Sequence, residues 1–397
     1  MKIDPRSVEF AQNPYPTYAW LRREEPVYYI EPLKLYWVTR YADVSQVLTD
    51  PRFGKRNPTA PQMPPLPPEY QKLAEIPPSL ILQDPPDHTR LRGLVSKAFT
   101  PKAVERLRGR IEAIAHELLD RVQGEGRMDL VADFAFPLPA TVIAEMLGVP
   151  RDNLPRFHQW SRDFIRSGDA SQAHLPGVRE AGLKAQVEMA YFFEELARQR
   201  RAAPEDDMIS ALVQVEEQGE RLSMGELVST CILLLIAGHE TTTNLIGNGV
   251  LTLLTHPEQL GWLRAHPEAM GTAVEELLRY ESPVQRFGRF VQEDLELGGR
   301  ELKRGAHVSV LFASANRDEA VFANPDELDL TRDPNPHLAF GKGIHFCLGA
   351  PLARIEGPVA LRVLLERMPN LRLDPDSAYE WAPQTLVRGL RRLPVRF

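Results

Sequence analysis

Apolar positions recur at helical spacing through much of the chain between residues 100 and 278. One such stretch covers 102–122 and a second covers 179–201, each with apolar residues three and four positions apart. A third begins with Ser-Met-Gly-Glu, which has the form of a capping box at Ser223. Its middle is apolar on every side, so we expect a 223–255 helix that crosses the interior.

Shorter alternating runs dominate beyond Pro283. The stretch 288–317 contains Gly-Gly between two such runs, which predicts a β-hairpin, and 35–48 is typical of a strand followed by a helix. Helical spacing returns over 351–368. The pattern therefore predicts a mainly α-helical fold with small β-sheets (α+β), in one large domain over residues 1–397.

Ten prolines interrupt the chain between residues 58 and 86. Proline removes a backbone donor and fixes φ, so this segment is neither a long helix nor a central strand. It is either a linker between domains or a lid over a pocket, because long loops in compact domains are often functional.

Composition narrows the class of protein. Lys and Arg number 47 against 54 Asp and Glu, a net charge of −7, which argues against general nucleic-acid binding. Two cysteines exclude a disulfide framework and fit a reducing compartment. The longest apolar run is too short for a membrane span, and the N-terminus lacks a signal core. We expect a cytoplasmic monomer without nucleic-acid or membrane partners.

One cysteine lies in the glycine-rich stretch AFGKGIHFCLG, residues 339–349. Cys347 could be a buried structural residue, a zinc ligand with His345, a nucleophile, or a thiolate ligand to iron. The last option explains more, because the glycines let backbone N–H groups point at the sulfur and a helix from Pro351 places its positive end beside it.

The spacing F-G-x-G-x-H-x-C-x-G resembles the haem-binding loop of the cytochrome P-450 family. The six matching residues are Phe340, Gly341, Gly343, His345, Cys347 and Gly349. The resemblance implies the cytochrome P-450 fold and a haem b whose iron takes the Cys347 thiolate as axial ligand. It also implies that Phe340, Gly341 and Gly349 contact the haem and that residues 58–86 form a pocket lid.

The long helix carries AGHETTTN from Ala237, which resembles the family's oxygen-activation motif. A threonine hydroxyl can bond the carbonyl four residues back, which would open the helix at Ala237 and leave a notch for a small ligand. The resemblance implies that Thr241 and Glu240 are catalytic, with Thr241 binding dioxygen and Glu240 relaying protons. Ala237 would lie over the haem.

Glu276 and Arg279 stand three residues apart on one helix, a spacing common in exposed ion pairs. Beside the cysteine loop, the pair resembles the family's E-x-x-R motif, with Arg332 as its third member. The resemblance implies a buried cluster that supports folding and haem retention.

His88 and Arg92, four residues apart in DHTRLR, resemble the family's haem-propionate contacts. Arg289 and His345 match the other propionate contacts, and cations beside two carboxylates are the expected chemistry. Arg286 is a nearby rival to Arg289.

The resemblance implies a monooxygenase that inserts one oxygen atom from O2 into an apolar molecule of polyketide, macrolide, fatty-acid or steroid type. It also implies that the electrons come from a separate ferredoxin and NAD(P)H ferredoxin reductase. Rival functions are a peroxide-driven peroxygenase and a haem-based sensor or electron carrier. A basic face would attract the redox partner, or is merely solvated; its residues are Lys342, Arg354, Arg362, Arg106, Arg108 and Arg110. The predicted pocket residues are Ile81, Leu82, Phe164, Thr242, Val284, Phe287, Thr385 and Leu386.

Overall fold

The computed structural model describes residues 3–5, 7–60, 66–169, 172–217 and 219–397. The α-helices are α1 Val8–Gln12, α2 Tyr15–Glu24, α3 Tyr41–Thr49, α4 Asp87–Ala98, α5 Pro101–Glu105, α6 Arg108–Val122, α7 Pro137–Leu147, α8 Leu154–Gly168, α9 Val178–Ala202, α10 Met208–Gln214, α11 Met224–Thr255, α12 Pro257–Ala265, α13 Met270–Tyr280, α14 Phe312–Ala315 and α15 Ala350–Arg367. The strands are β1 Val27–Ile30, β2 Leu35–Val38, β3 Phe53–Gly54, β4 Arg127–Asp129, β5 Glu216–Glu217, β6 Glu220–Arg221, β7 Arg286–Val291, β8 Leu295–Leu297, β9 Arg300–Leu302, β10 His307–Leu311, β11 Arg372–Leu373, β12 Glu380–Trp381, β13 Leu390–Arg392 and β14 Pro394–Arg396. The predicted mixture of dominant helices and small sheets is confirmed.

The described residues form two compact units. Unit A contains those within 1–59, 108–138 and 241–397, and unit B contains those within 60–107 and 139–240. Helix α11 belongs to unit B up to Glu240 and to unit A from Thr241. The single domain over residues 1–397 stays a prediction.

Unit A is built on a five-stranded sheet with the order β1-β2-β10-β7-β3. Strand β10 pairs parallel with β2 and antiparallel with β7. Fully buried valines at 38, 308 and 310 form part of the apolar cluster on this sheet. Helix α15 packs against α6 and α13, so the segment that follows Cys347 is fixed to the body of unit A.

Unit B is held together by helix packing, most extensively between α8 and α9. The rings of Phe157 and Trp160 stack 5.4 Å apart on α8, and Phe193 of α9 lies 6.1 Å from Phe157. Helix α10 packs on α9 and on α4, the helix that carries His88 and Arg92.

The structure corrects one local prediction and confirms another. The helix predicted over 102–122 is two helices, because α5 ends at Glu105 and α6 begins at Arg108. The helical spacing of apolar residues continues from α5 across the turn into α6, so this spacing alone does not reveal the break. The predicted hairpin within 288–317 is confirmed as β8 and β9, joined by Gly298 and Gly299 with φ of 56° and 77°.

The proline-rich segment contains short 3-10 helices at Pro68–Glu75 and Leu80–Leu82. Its residues 61–65 lie outside the described residues, so the predicted lid over 58–86 is described only in part. In the described part of the chain, no helix combines the length and apolar character required to cross a membrane.

Candidate active site

The loop that carries Cys347 is held by its own backbone. The N–H of Cys347 donates to the carbonyl oxygen of Phe340 over 2.9 Å. Gly341 and Gly343 have φ of 70° and 72°, the left-handed region that favours glycine. A β-carbon at Gly343 would lie 2.5 Å from the carbonyl oxygen of Leu48 in α3. Both backbone conformation and close packing therefore require glycine at Gly343.

Gly349 differs from Gly341 and Gly343 in its backbone conformation. Its φ is −81°, which any residue can adopt, and a β-carbon there would lie 3.8 Å from the Cys347 sulfur, an ordinary contact. Gly349 is the N-cap of α15, and the helix starts at Ala350. The half-buried Cys347 thus lies just before a helix N-terminus, which favours an ionised thiol.

The alternative assignment of Cys347 as a zinc ligand is not supported by the described residues. Among the described residues, no group of three or more His, Cys, Asp or Glu side chains could hold a metal ion, so a zinc site of protein ligands is not formed there. The other cysteine, Cys231, is fully buried in α11, and burial raises the pKa of its thiol above the usual range.

Helix α11 begins with the predicted capping box. The Glu226 N–H donates to the Ser223 hydroxyl over 3.2 Å, and the Ser223 N–H donates to the Glu226 carboxylate over 2.9 Å. The helix continues without a break from Met224 to Thr255, so the predicted opening at Ala237 does not interrupt the helix. A β-carbon at Gly238 would lie 3.0 Å from the Ile143 side chain, so this glycine permits close packing of α7.

Ala237 is exposed, whereas Ile236 and His239 near it are buried. Burial raises the pKa of the Glu240 carboxyl to about 7. A carboxylic acid with such a pKa can hold and release a proton near neutral pH, which is what general acid catalysis requires. Thr241 follows it directly in the chain.

A second buried acid, Glu356 of α15, was not found from the sequence. It is 1% exposed, and burial raises the pKa of its carboxyl to about 8, while an interaction with the Thr242 hydroxyl opposes that rise. The available signal was a glutamate within the stretch IEGPVAL, residues 355–361, which is otherwise free of polar side chains. Thr242 is itself 3% exposed, and its predicted place in the pocket stays a prediction.

The Glu276 cluster, which comprises Glu276, Arg279 and Arg332, is assembled as the sequence predicts. Glu276 and Arg279 are fully buried and share two hydrogen bonds of 2.7 and 2.8 Å. The Arg332 Nε lies 3.2 Å from a Glu276 carboxylate oxygen.

The same cluster binds the segment that precedes the cysteine loop. Arg279 donates to the carbonyl oxygens of Asn316, Pro325 and Glu327 over 2.8–3.0 Å. Glu276 also accepts from the Asp329 N–H and the Asn335 amide. The cluster thereby fixes residues 316–335 in position.

Arg286 and Arg289, the two candidates for one haem-propionate contact, both lie on strand β7. Arg286 and Arg289 are three residues apart on a strand, so their side chains lie on opposite faces of the sheet. Arg286 donates to the carbonyl oxygen and hydroxyl of Thr385 over 3.2 and 3.0 Å. Arg289 is 2% exposed and donates to the Gly288 carbonyl over 3.1 Å.

The other proposed propionate contacts are placed as follows. His345 ends a 3-10 turn over Gly343–His345 within the cysteine loop of unit A. In unit B, His88 is 3% exposed on α4 and Arg92 stands one turn further on the same helix.

The predicted pocket residues of unit A come from two adjoining segments. Val284 pairs with Val387, and the Gln285 N–H donates to the Leu386 carbonyl over 3.0 Å, which brings Thr385 and Leu386 beside the start of β7. In unit B, Leu82 is 52% exposed at the end of its 3-10 turn, and Phe164 is half-buried on α8.

The donor set fits an iron porphyrin. A half-buried thiol stands at a helix N-terminus, as an anionic sulfur ligand requires. Within unit A, Arg289 and His345 supply cationic or hydrogen-bonding groups for carboxylates.

Comparison with known proteins identifies the family. The Cytochrome P450 family model matches residues 171–378. The Biotin biosynthesis cytochrome P450 of Bacillus subtilis (strain 168) is 44% identical over 394 residues, 98% of each chain. The Vitamin D(3) 25-hydroxylase of Pseudonocardia autotrophica is 43% identical over 97% of this chain and 94% of that protein.

Solved structures agree with this result. The crystal structure of P450BioI in complex with hexadec-9Z-enoic acid ligated Acyl Carrier Protein superposes with a TM-score of 0.90 at 43% identity, over 98% of this chain and 100% of that chain. The predicted cytochrome P450 fold is therefore confirmed. The chain belongs to the cytochrome P450 family and is an oxidoreductase whose haem b takes a cysteine thiolate as its axial ligand.

Proposed function

We propose that this protein is a monooxygenase in which Cys347 ligates the haem iron and one oxygen atom of O2 enters an apolar small molecule. The observation that carries the proposal is the cysteine loop, where Gly341, Gly343 and the Phe340 carbonyl fix Cys347 before the N-terminus of α15. Bound haem supplies the chemistry of dioxygen activation.

The protein's own contribution is proton delivery and orientation. Glu240, with a carboxyl pKa of about 7, holds a proton beside Thr241. The Thr241 hydroxyl orients the dioxygen to which this proton is delivered. Glu356 stores a second proton against Thr242. A sensor or electron carrier has no need of a proton relay of this kind.

Electrons come from a separate ferredoxin and its NAD(P)H-dependent reductase in this proposal. The predicted basic face is partly offset by acids, because Arg354 pairs with Glu275 and Arg362 pairs with Glu112. Docking therefore depends less on net charge than the sequence indicates, and we expect a moderate salt dependence of turnover.

The substrate is an apolar molecule of fatty-acyl, polyketide or steroid-like size. The proposed lining at Val284, Phe287 and Leu386 is apolar, which suits such a molecule. The relatives named above support this class, since one was crystallised with a hexadec-9Z-enoic acid ligated carrier protein and another is a vitamin D(3) hydroxylase.

Reconstitution tests the proposal. Holoenzyme is combined with a bacterial ferredoxin, its reductase, NAD(P)H and O2, and in parallel with hydrogen peroxide alone, using palmitoleic acid and vitamin D3 as probes. The proposal expects a hydroxylated product with label from 18O2 in the reductase arm. Product only in the peroxide arm would identify a peroxygenase instead.

A further inference from the structure

Three side chains from separate elements form a hydrogen-bonded group in unit A, with two of them beside the ring of Phe340, and we call them the Phe340 network. They are Arg354 of α15, Glu275 of α13 and His337 of the segment before the cysteine loop. The Arg354 guanidinium carbon lies 4.6 Å from the centre of the Phe340 ring. The His337 ring centre lies 6.0 Å from the same ring.

The network is joined by directed hydrogen bonds. Arg354 donates from Nε and Nη2 to the two oxygens of Glu275, each over 2.8 Å. His337 Nε2 lies 3.0 Å from Glu275 Oε2, and its Nδ1 accepts from the Ala339 N–H over 3.2 Å. Because Nδ1 is an acceptor, the ring proton is on Nε2 and is donated to Glu275.

The network therefore holds one positive charge, one negative charge and a neutral imidazole. Partial burial favours the neutral form of Glu275, but hydrogen bonds from Arg354 and His337 outweigh it and hold the pKa of this carboxyl at about 2. Glu275 is thus ionised at neutral pH, and a bidentate pair of this kind fixes the guanidinium in one orientation.

Phe340 connects this charge pair with the proposed iron ligand. Its carbonyl oxygen accepts a hydrogen bond from the Cys347 N–H, and the Arg354 guanidinium lies over its ring. Arg354 also stands seven residues beyond Cys347 on the helix whose N-terminus follows the sulfur, and it is attracted by negative charge at Cys347.

We propose that Arg354 and Glu275 set the reduction potential of the haem iron, as positioning residues that act through Phe340 and the Cys347 thiolate. Reduction adds one negative charge to the haem, so the Arg354 cation favours the ferrous state and the Glu275 carboxylate opposes that effect. His337 keeps Glu275 in place. The inference rests on the proposed ligation of iron by Cys347.

The test is a spectroelectrochemical titration of purified holoenzyme. Glu275→Gln leaves Arg354 without its counter-charge, so the potential should rise, whereas Arg354→Gln should lower it. For each single variant we expect about a tenfold change in the one-electron equilibrium constant, about 59 mV. The double variant should return close to the wild-type potential, because its net charge is again zero. Arg354→Lys, which keeps the charge, should stay closer to wild type than Arg354→Gln.

Arg362 and Glu112 provide the matched control. They form a 2.9 Å pair between α15 and α6, with side chains 35% and 38% exposed. Arg362→Gln and Glu112→Gln should leave the potential unchanged. Equal potentials for all single variants, or shifts of the same sign for Glu275→Gln and Arg354→Gln, would overturn the inference. The ferrous carbon-monoxide spectrum, recorded for every variant, separates this result from failure of the thiolate assignment.

Discussion

Replacing Glu276 with alanine removes the acceptor on which the Glu276 cluster depends. Arg279, which is 0% exposed, loses both hydrogen bonds to the carboxylate, and its charge stays in the interior without its acid partner. Breaking a buried pair from one side costs about 3–5 kcal/mol. The Asp329 N–H and the Asn335 amide lose the same acceptor, at about 1 kcal/mol each.

A loss of this size is comparable with the whole stability of many proteins, about 5–15 kcal/mol. Glu276→Ala should therefore give little soluble protein, and what is soluble should retain little haem, because residues 316–335 lead into the cysteine loop. The measurements are the ratio of haem to protein after expression with a haem precursor, and the urea midpoint of the soluble fraction. Arg332→Ala, which keeps the Arg279 pair, should have a milder effect on both.

Glu112→Ala is the control, because it removes an exposed ion-pair partner worth about 0–1 kcal/mol. It should match the wild type in haem content. A soluble Glu276→Ala protein with full haem content and a urea midpoint equal to that of Glu112→Ala would refute the assignment of the cluster as a fold-critical element.

Further substitutions probe the cysteine loop and the buried acids. Gly343→Ala should lower haem content, because its φ is 72° and its β-carbon would meet a backbone oxygen at 2.5 Å, whereas Gly349→Ala should be tolerated; haem-to-protein ratios compare the two. Thr241→Ala should keep haem but divert reducing equivalents from product to peroxide, which NAD(P)H and peroxide assays measure together. The carboxyl pKa of Glu356 is about 8 in the folded protein and 4.5 in the unfolded chain, so between these pH values the folded state binds more protons. The contribution of Glu356 to stability is therefore full below pH 4.5 and is lost as the pH rises through 8. Glu356→Gln should weaken this fall in unfolding free energy between pH 5 and 9, and an unchanged pH profile would contradict the buried-acid assignment.

Local motifs in the sequence predict the parts of the site that depend on short spacings. The Cys347 loop has its glycines within six residues, and Glu276 and Arg279 share a helix turn, so both motifs can be matched to the family from the sequence alone. The burial of the pair was implied by the resemblance, because its spacing is also common in exposed ion pairs. Residues three apart on a strand point to opposite faces, so Arg286 and Arg289 cannot both face the same site, and the choice between them stays a prediction.

Other features depend on packing between distant segments, which spacing does not encode. Glu356 meets Thr242 only because α15 packs beside α11 in unit A. Glu275 and His337 are 62 positions apart in the chain, and Arg354 joins them from a third element. The sequence does not reveal the break after Glu105, because the apolar spacing continues across it although α5 ends there and α6 begins at Arg108.

The central claim is that the Cys347 sulfur is bound to the haem iron. The most direct measurement is the carbon-monoxide difference spectrum of dithionite-reduced, haem-loaded protein, compared with Cys347→Ser and with Cys231→Ser. The account predicts the red-shifted band of a thiolate-ligated haem in the wild type and in Cys231→Ser, and its loss in Cys347→Ser. Retention of that band in Cys347→Ser would contradict it.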